Sequence, residues 1–383
     1  MARKSALVLG LGISGCTAAR MLADAGYQVT CFERECHIGG ALFDEIRPNG
    51  IRINPRGPHI LHTDNEEVFR FLKRFGAFYP YRHRVLATIN NKTVPLPLNA
   101  RSLEILFGEK QASSLLSRLT AHFPDQERIP VDLLMKSKDS KLIDLGRFIV
   151  ENILTLHVNT KDGSSFSPLD DSYENDDMVD LGTDDCYYKD SFQAMPIQGF
   201  TSLLENMINH PAITAYYDTS PLSRISIHEE SSSILLDGAP FKGPVIYTQP
   251  LDRLFGYKLG ALPFRTTKIT IRDLQTDFSN ESAVIVMPKG SEYVRITESK
   301  HITLQDISGH TTLCMESPYS SVVNGWEDPF EPDLAEKNRK LYSQYLELAK
   351  NYPSLFLLGR LACYRNYSIS ESIEQAMQCI AAL

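Results

Sequence analysis

Gly10-x-Gly12-x-x-Gly15 and, eighteen positions after the last of these glycines, Glu33 have the types and spacing to hold a dinucleotide. Gly10 suits a tight turn, Gly12 lets backbone approach a pyrophosphate, and Gly15 lets a helix pack closely on a strand. The carboxylate of Glu33 falls where it can accept both hydroxyls of an adenosine ribose. Such residues need strand, helix and strand to position them, and the chain supplies these in order. Residues 6–9 are an apolar strand, residues 16–25 a helical stretch closed by Gly26, and residues 28–32 a second strand ending at Glu33. The helix N-terminus offers unpaired N–H groups and partial positive charge to phosphates. The bland alternative is a glycine-rich turn that binds nothing, and the ordered arrival of Gly26 and Glu33 argues against it.

Arg34 and His37-Ile38-Gly39-Gly40 resemble the extension found in FAD enzymes of the glutathione-reductase and amine-oxidase type, where paired glycines let the chain pass close to the cofactor. At the other end, residues 355–358 form a short apolar strand reaching Gly359-Arg360, and a helix starts near Ser370. In those families such a strand and helix return to the same FAD, so the two ends of the chain build one domain.

The 383 residues are 43% hydrophobic and 22% charged, enough for a substantial core and more than one lobe. No run of eighteen apolar residues occurs, so no membrane span is expected. The apolar run after Met1-Ala-Arg-Lys is short and broken by glycine, unlike a leader. Seven scattered cysteines without a CxxC pair argue against a disulfide framework or structural zinc and fit a reducing cytoplasm. Cys16, at the start of the first helix, reads as a small buried residue beneath the cofactor or as a thiol of lowered pKa. The formal charge of -8 is concentrated: between Asp162 and Asp190 ten acids face one base, Lys189, leaving the rest near +1. With no basic stripe, nucleic acid is not an expected partner. The acidic stretch reads as a solvated loop.

Helical spacing runs through residues 102–156. From Ile213 onward, short β-branched or alternating runs at 223–227, 233–236, 245–248, 267–271, 283–287, 293–296 and 311–315 read as an antiparallel sheet. The expected fold is α/β: a Rossmann-like FAD-binding domain with an inserted helical lobe and an antiparallel β-sheet domain. The expected divisions are 1–98 and 351–383 for the FAD domain, 99–190 for the helical substrate lobe with its acidic loop, and 191–350 for the sheet domain.

Several blocks then resemble one family. They are Arg56-Gly-Pro-His-Ile-Leu-His-Thr63, Leu96-Pro-Leu-Asn99, Met195-Pro-Ile-Gln-Gly-Phe200, Tyr247-Thr-Gln-Pro-Leu-Asp252, Gly260-Ala-Leu-Pro-Phe-Arg265, Tyr293-Val-Arg295 and Gly359-Arg-Leu-Ala-Cys-Tyr364. With the glycine motif and the Gly39-Gly40 block, they make the chain similar to the UDP-galactopyranose mutases over nearly its whole length. The resemblance implies an isomerase that interconverts pyranose and furanose forms of a nucleotide sugar, with reduced FAD attacking the anomeric carbon through N5 and no net oxidation. It implies a role in making a surface polysaccharide or glycosylated metabolite, often as a homodimer. FAD-dependent oxidoreductases of the amine-oxidase type share the glycine motif, and a relative that keeps FAD without turnover is a third reading.

Carried over by position, the resemblance places His59 and Ile60 against the flavin with His62 behind, and makes His59, His62 and Arg295 the catalytic set. An imidazole there can move a proton or stabilise anionic flavin, and the planar fork of Arg295 suits paired phosphate oxygens. Structural hydrogen bonding for either histidine, or a strand ion pair for Arg295, is the plain alternative. The implied cofactor contacts are Gly10, Gly12, Ser14, Gly15, Glu33, Arg34, Gly39, Gly40, Ala41, His59, Ile60, Thr248, Gly359, Arg360, Tyr367, Ser368, Ile369 and Ser370. The implied substrate contacts are Asn99, Arg265, Arg295, Tyr364 and Asn366, although Asn99 reads nearly as well as a helix cap; no metal is implied. Part of the substrate clamp is missing. The family's nucleotide-contacting Trp-Gly falls near Asp162-Gly163, whereas the only tryptophan is Trp326. A second, mobile arginine falls in the acidic segment, and two family tyrosines fall at Ser317 and Asn366. Either the acids lie outside the site, or a divalent cation bridges them to phosphate, or the substrate is a nucleotide sugar other than UDP-galactose, which is the reading favoured.

Overall fold

The computed structural model describes residues 4–154, 178–288, 290–317, 320–322 and 329–383. At its centre lies a five-stranded, wholly parallel sheet in the order Ile213–Tyr216, Gln28–Phe32, Ser5–Leu9, Val245–Tyr247, Leu355–Leu357. Its inner strands Ser5–Leu9 and Val245–Tyr247 are nearly continuous apolar runs because both faces are covered, whereas the edge strand Ile213–Tyr216 alternates between half-buried and exposed residues. From Ser5–Leu9, Ala6 and Val8 enter one core with the helices Ile13–Asp24 and Ile369–Ala381, while Leu7 and Leu9 enter a second core with Tyr247, Tyr345 and Tyr364. First and last strands of the chain thus share one sheet, and the helices that follow them pack together.

The short runs after Ile213 divide among three sheets rather than forming one. The runs beginning at Ile213 and Val245 are parallel members of the central sheet, not antiparallel strands. Ile225–His228, Ser233–Leu236 and Ala239–Pro240 make a separate small sheet. The remainder forms a six-stranded sheet ordered Ile269–Leu274, Thr311–Glu316, Arg295–Glu298, Val284–Val286, Val85–Ile89, Lys92–Leu96, antiparallel except where Val284–Val286 runs parallel to Val85–Ile89. Period-two patterning marks a strand but not its partner.

The helical lobe comprises Ala100–Phe107, Glu109–His122, Val131–Met135 and Ser140–Asn152. Its buried face is formed by Leu103, Leu115, Leu119, Leu142, Leu145 and Ile149, the positions that carry the helical spacing.

Residues 162–177 of the acidic stretch, with Asp162-Gly163, lie outside the described residues, as does Trp326. The part that is described, 178–190, departs from a solvated loop. Met178–Asp180 pairs antiparallel with Arg128–Pro130, and Asp180, 2% exposed, lies 3.0 Å from Arg128 and 3.1 Å from Lys189. Asp184 pairs with Arg82, Asp185 with Arg84 and Arg101, and Asp190 with His62. Composition counts these acids as surplus negative charge, whereas the fold matches each with a cation or an imidazole from elsewhere in the sequence.

Removing one member of a buried pair leaves the other charge uncompensated. Asp180→Ala should lower the free energy of unfolding by about 3 kcal/mol in urea titrations. Asp184→Ala, at an exposed pair, should change it by less than about 1 kcal/mol.

Candidate active site

The loops that leave the carboxyl ends of the parallel strands converge on one cleft, the usual ligand position in an open α/β sheet. Gly10, Gly12, Ser14 and Gly15 line it from the first loop, Glu33 and Arg34 from the second, and Gly39, Gly40 and Ala41 from the segment that follows. Thr248, Gly359, Arg360, Tyr367, Ser368 and Ile369 close it from the other end of the chain. It encloses about 1110 Å³, counting space open to solvent.

Two glycines are sterically required. A Cβ on Gly15 would stand 1.9 Å from the carbonyl oxygen of Gly10, and one on Gly10 (φ +109°) would stand 2.2 Å from Oγ1 of Thr248. The helix Ile13–Asp24 opens at Gly12 without a side-chain cap, so its first-turn N–H groups face the cleft end as an anion site. Glu33 is 7% exposed; Oε2 accepts from the Leu11 N–H at 2.6 Å and Oε1 from the Glu35 N–H at 3.0 Å. Each oxygen has further lone-pair capacity, which suits two ribose hydroxyls. The helix Ile369–Ala381 begins with a capping box: Ser368 Oγ accepts from the Glu371 N–H, and Glu371 accepts from the Ser368 N–H.

His59 lines the cleft and also walls a second cavity of about 520 Å³. Its Nδ1 lies 3.0 Å from the Gly57 carbonyl and 3.2 Å from Nδ2 of Asn54. Burial first, then the guanidinium charges of Arg360, Arg295 and Arg56, push its pKa down to about 3, against the hydrogen bond to Gly57. The imidazole is therefore neutral at physiological pH. An anion entering the cleft would favour its protonation. Arg360 is held by the Tyr367 carbonyl (3.0 Å), by Glu331 (3.7 Å) and over the ring of Phe330.

Eight of the expected site residues, Arg295 among them, lie outside the lining of this cleft. Ile60, 5% exposed, packs in the main core just before the strand Leu61–Thr63. Ser370 bonds Thr63 and Glu374 inside the protein instead of lining the cleft. Asn99 is 1% exposed: its Oδ1 caps the helix Ala100–Phe107 through the Ser102 N–H, and its Nδ2 donates to Asp185 and to the Asp184 carbonyl. Tyr364 is buried, its hydroxyl 2.6 Å from the Pro263 carbonyl and 2.8 Å from the Asp333 carbonyl, so its single proton is shared between them. Arg265 lies 3.6 Å from Asp333 away from the cleft lining, and Asn366 is exposed outside it. His62, on the strand Leu61–Thr63, bonds Asp190 through Nδ1 at 3.1 Å and stacks on Tyr188 at 3.7 Å, also outside the lining.

Arg295 is outside the lining, yet close enough for its charge to act on His59. Two of its N–H donors make a forked pair with Glu316, at 2.9 and 2.7 Å. Arg295 and Glu316 face each other in register on neighbouring strands. Glu316 went unnoticed in the sequence because only strand pairing joins it to Arg295. His83 was missed too. It is 4% exposed, stacks with Tyr188 and meets the Tyr81 hydroxyl at 3.2 Å; burial, then the charges of Arg295 and His62, push its pKa down to about 3. Arg56, Gln249, Arg253 and Phe330 also line the cleft. The motif containing Arg56 was visible, but nothing local marked that side chain.

With this geometry in view, residues 162–366 match the family described as UDP-galactopyranose mutase, and residues 8–75 match an NAD(P)-binding Rossmann-like domain. The chain belongs to the UDP-galactopyranose mutase family. It is a UDP-galactopyranose mutase-like flavoenzyme, an isomerase. It is similar to the UDP-galactopyranose mutase of Mycoplasma pneumoniae, 28% identical over 97% of this chain and 94% of that one. It is also similar to the dTDP-fucopyranose mutase of Escherichia coli, 26% identical over 97% of this chain and 96% of that one. A crystal structure of reduced UDP-galactopyranose mutase superposes with a TM-score of 0.68 at 13% identity, covering 99% of this chain and 93% of that one. A putative protoporphyrinogen oxidase from Exiguobacterium gives 0.64 at 15% identity, covering 100% and 99%. At those identities the two structures establish the shared fold alone.

For this mutase-family chain, Gly15→Ala should force helix and strand apart and abolish flavin retention, read as loss of visible absorbance in the purified protein. His59 and His83 have folded pKa values below the unfolded one, so their contribution to stability is present above about pH 6.5 and is lost as pH falls toward 3. His83→Gln should flatten that part of the stability–pH curve measured by urea titration.

Proposed function

We propose that the cleft binds FAD, that the reduced form is active, and that the enzyme interconverts pyranose and furanose forms of a nucleoside-diphosphate sugar. The observation that carries this reading is the convergence, on one cleft, of the glycine turn, Glu33, Gly39-Gly40 and the C-terminal Gly359–Ile369 segment, ending at His59 among arginines. Glu33 would hold the adenosine ribose and the first-turn N–H groups the pyrophosphate. When bound, reduced FAD supplies the nucleophile for the anomeric carbon, and the redox state is the same before and after turnover.

The protein's own residues orient, neutralise and move protons. With Nδ1 donating to Gly57, His59 presents Nε2 as an acceptor beside the cleft, able to take up a proton as negative charge enters. His62, tied to Asp190, acts as a positioning residue that fixes the strand next to His59. Arg295, its fork aligned by Glu316, is the cation assigned by position to the diphosphate. The ion pairs of residues 178–190 support placing that part of the acidic stretch outside the substrate's field. In this reading residues 1–98 and 351–383 form the FAD lobe, 99–190 the helical lobe and 191–350 the sheet region. The seven cysteines are unpaired thiols, which suits a cytoplasmic enzyme. No helix among the described residues is long and apolar enough to cross a membrane.

The base and sugar are specified by a direct experiment. Protein reduced with dithionite under anaerobic conditions is incubated with UDP-galactopyranose, dTDP-fucopyranose and other nucleotide sugars, and furanose anomeric signals are sought by NMR. The expected result is isomerisation of at least one, abolished when the flavin is oxidised. Stoichiometric flavin reduction by a substrate without isomerisation would instead indicate an amine-oxidase-type oxidoreductase.

A further inference from the structure

We propose that Arg56 is a specificity-determining residue that supplies the second cation of the substrate's diphosphate site; this rests on the nucleotide-sugar reading above. A diphosphate brings about two negative charges, and Arg295, the cation assigned to it by resemblance, shares its fork with Glu316, which is 3% exposed. That pair is close to electrically neutral. Residues 162–190 contain no arginine. A second guanidinium must therefore come from elsewhere in the chain.

Arg56 is placed for it. The loop that carries it is fixed by Asn54, whose Oδ1 accepts from the Arg56 N–H at 2.9 Å, and turns at Gly57 with φ +95°. A Cβ on Gly57 would lie 3.4 Å from Oε1 of Glu316, so Arg56 is one residue from the Arg295–Glu316 pair. At the same time Arg56 lines the cleft beside His59, Phe330 and Arg360. It thus joins the cofactor cleft to the Arg295 side of the site. The first-turn N–H groups of the helix Ile13–Asp24, which have no side-chain cap, are the separate anion partners assigned to the cofactor's pyrophosphate. The depressed pKa of His59, to which Arg56 contributes with Arg360 and Arg295, is in keeping with a cluster of cations near His59. A planar guanidinium there can fork onto two phosphate oxygens, which an ammonium cannot.

The test measures binding of UDP and of dTDP to the flavin-loaded protein by calorimetry, with uridine and thymidine as uncharged controls. Wild type, Arg56→Lys and Arg56→Gln are compared, and Arg56→Gln keeps the stem and loop should a smaller residue fail to fold. We expect Arg56→Gln to weaken diphosphate binding by about tenfold to a hundredfold, and Arg56→Lys to weaken it less. Flavin content and nucleoside binding should stay unchanged, and the salt dependence of diphosphate binding should become shallower. Equal diphosphate affinity in wild type and Arg56→Gln overturns the inference while leaving the mutase reading intact. Loss of flavin in Arg56→Gln also overturns it, assigning Arg56 to the cofactor. A wild type that binds neither diphosphate and isomerises no nucleotide sugar overturns the reading beneath it and the inference together.

Discussion

Everything in the cleft depends on how closely the first helix approaches the first strand. The backbone oxygen of Gly10 occupies the space in which any Cβ at residue 15 would stand, 1.9 Å away. This contact aims the helix N-terminus across the carboxyl edge of the sheet, where its unpaired N–H groups can meet phosphate. It also fixes the helix face onto which Ile369–Ala381 packs, which brings Gly359, Arg360 and Ser368 to the same cleft. A dinucleotide site assembled from residues more than three hundred positions apart is therefore held by a single close backbone approach and two packed helices.

Charge pairing is the second organising constraint. Arg295 and Glu316 are paired because their strands are neighbours, and the fork aligns the guanidinium before any ligand arrives. On the helical side, Asp180, Asp184, Asp185 and Asp190 are drawn onto Arg128, Lys189, Arg82, Arg84, Arg101 and His62. A segment that would repel a diphosphate as free carboxylates becomes a neutralised strut that also anchors Asn99. Asn99 and Tyr364 are likewise polar groups satisfied inside the protein, where an unpaired one would be costly.

The cofactor half of the site was legible because its requirements are local. Glycine turns, a carboxylate at a strand end and a helix start each leave a signature within a few residues, and Gly10, Gly12, Gly15, Glu33, Gly39, Gly40, Gly359 and Arg360 all reached the cleft. Within the same motifs, Ile60 and Ser370 did not. Adjacent residues of a loop or a helix start point in different directions, and the motif does not record which of them faces the cleft.

The amino-acid sequence by itself determined the fold class, the glycine turn, the family and most of the residues that line the main cleft, since periodicity and steric demands at glycine are properties of short segments. Tertiary structure decided the rest. Which sheet each short strand joins, that His59 is held neutral by burial and three guanidiniums, that Glu316 partners Arg295, and that Arg56 faces the cleft all depend on residues distant in the chain. Pairing, burial and electric field are sums over neighbours in space, and no local pattern encodes them.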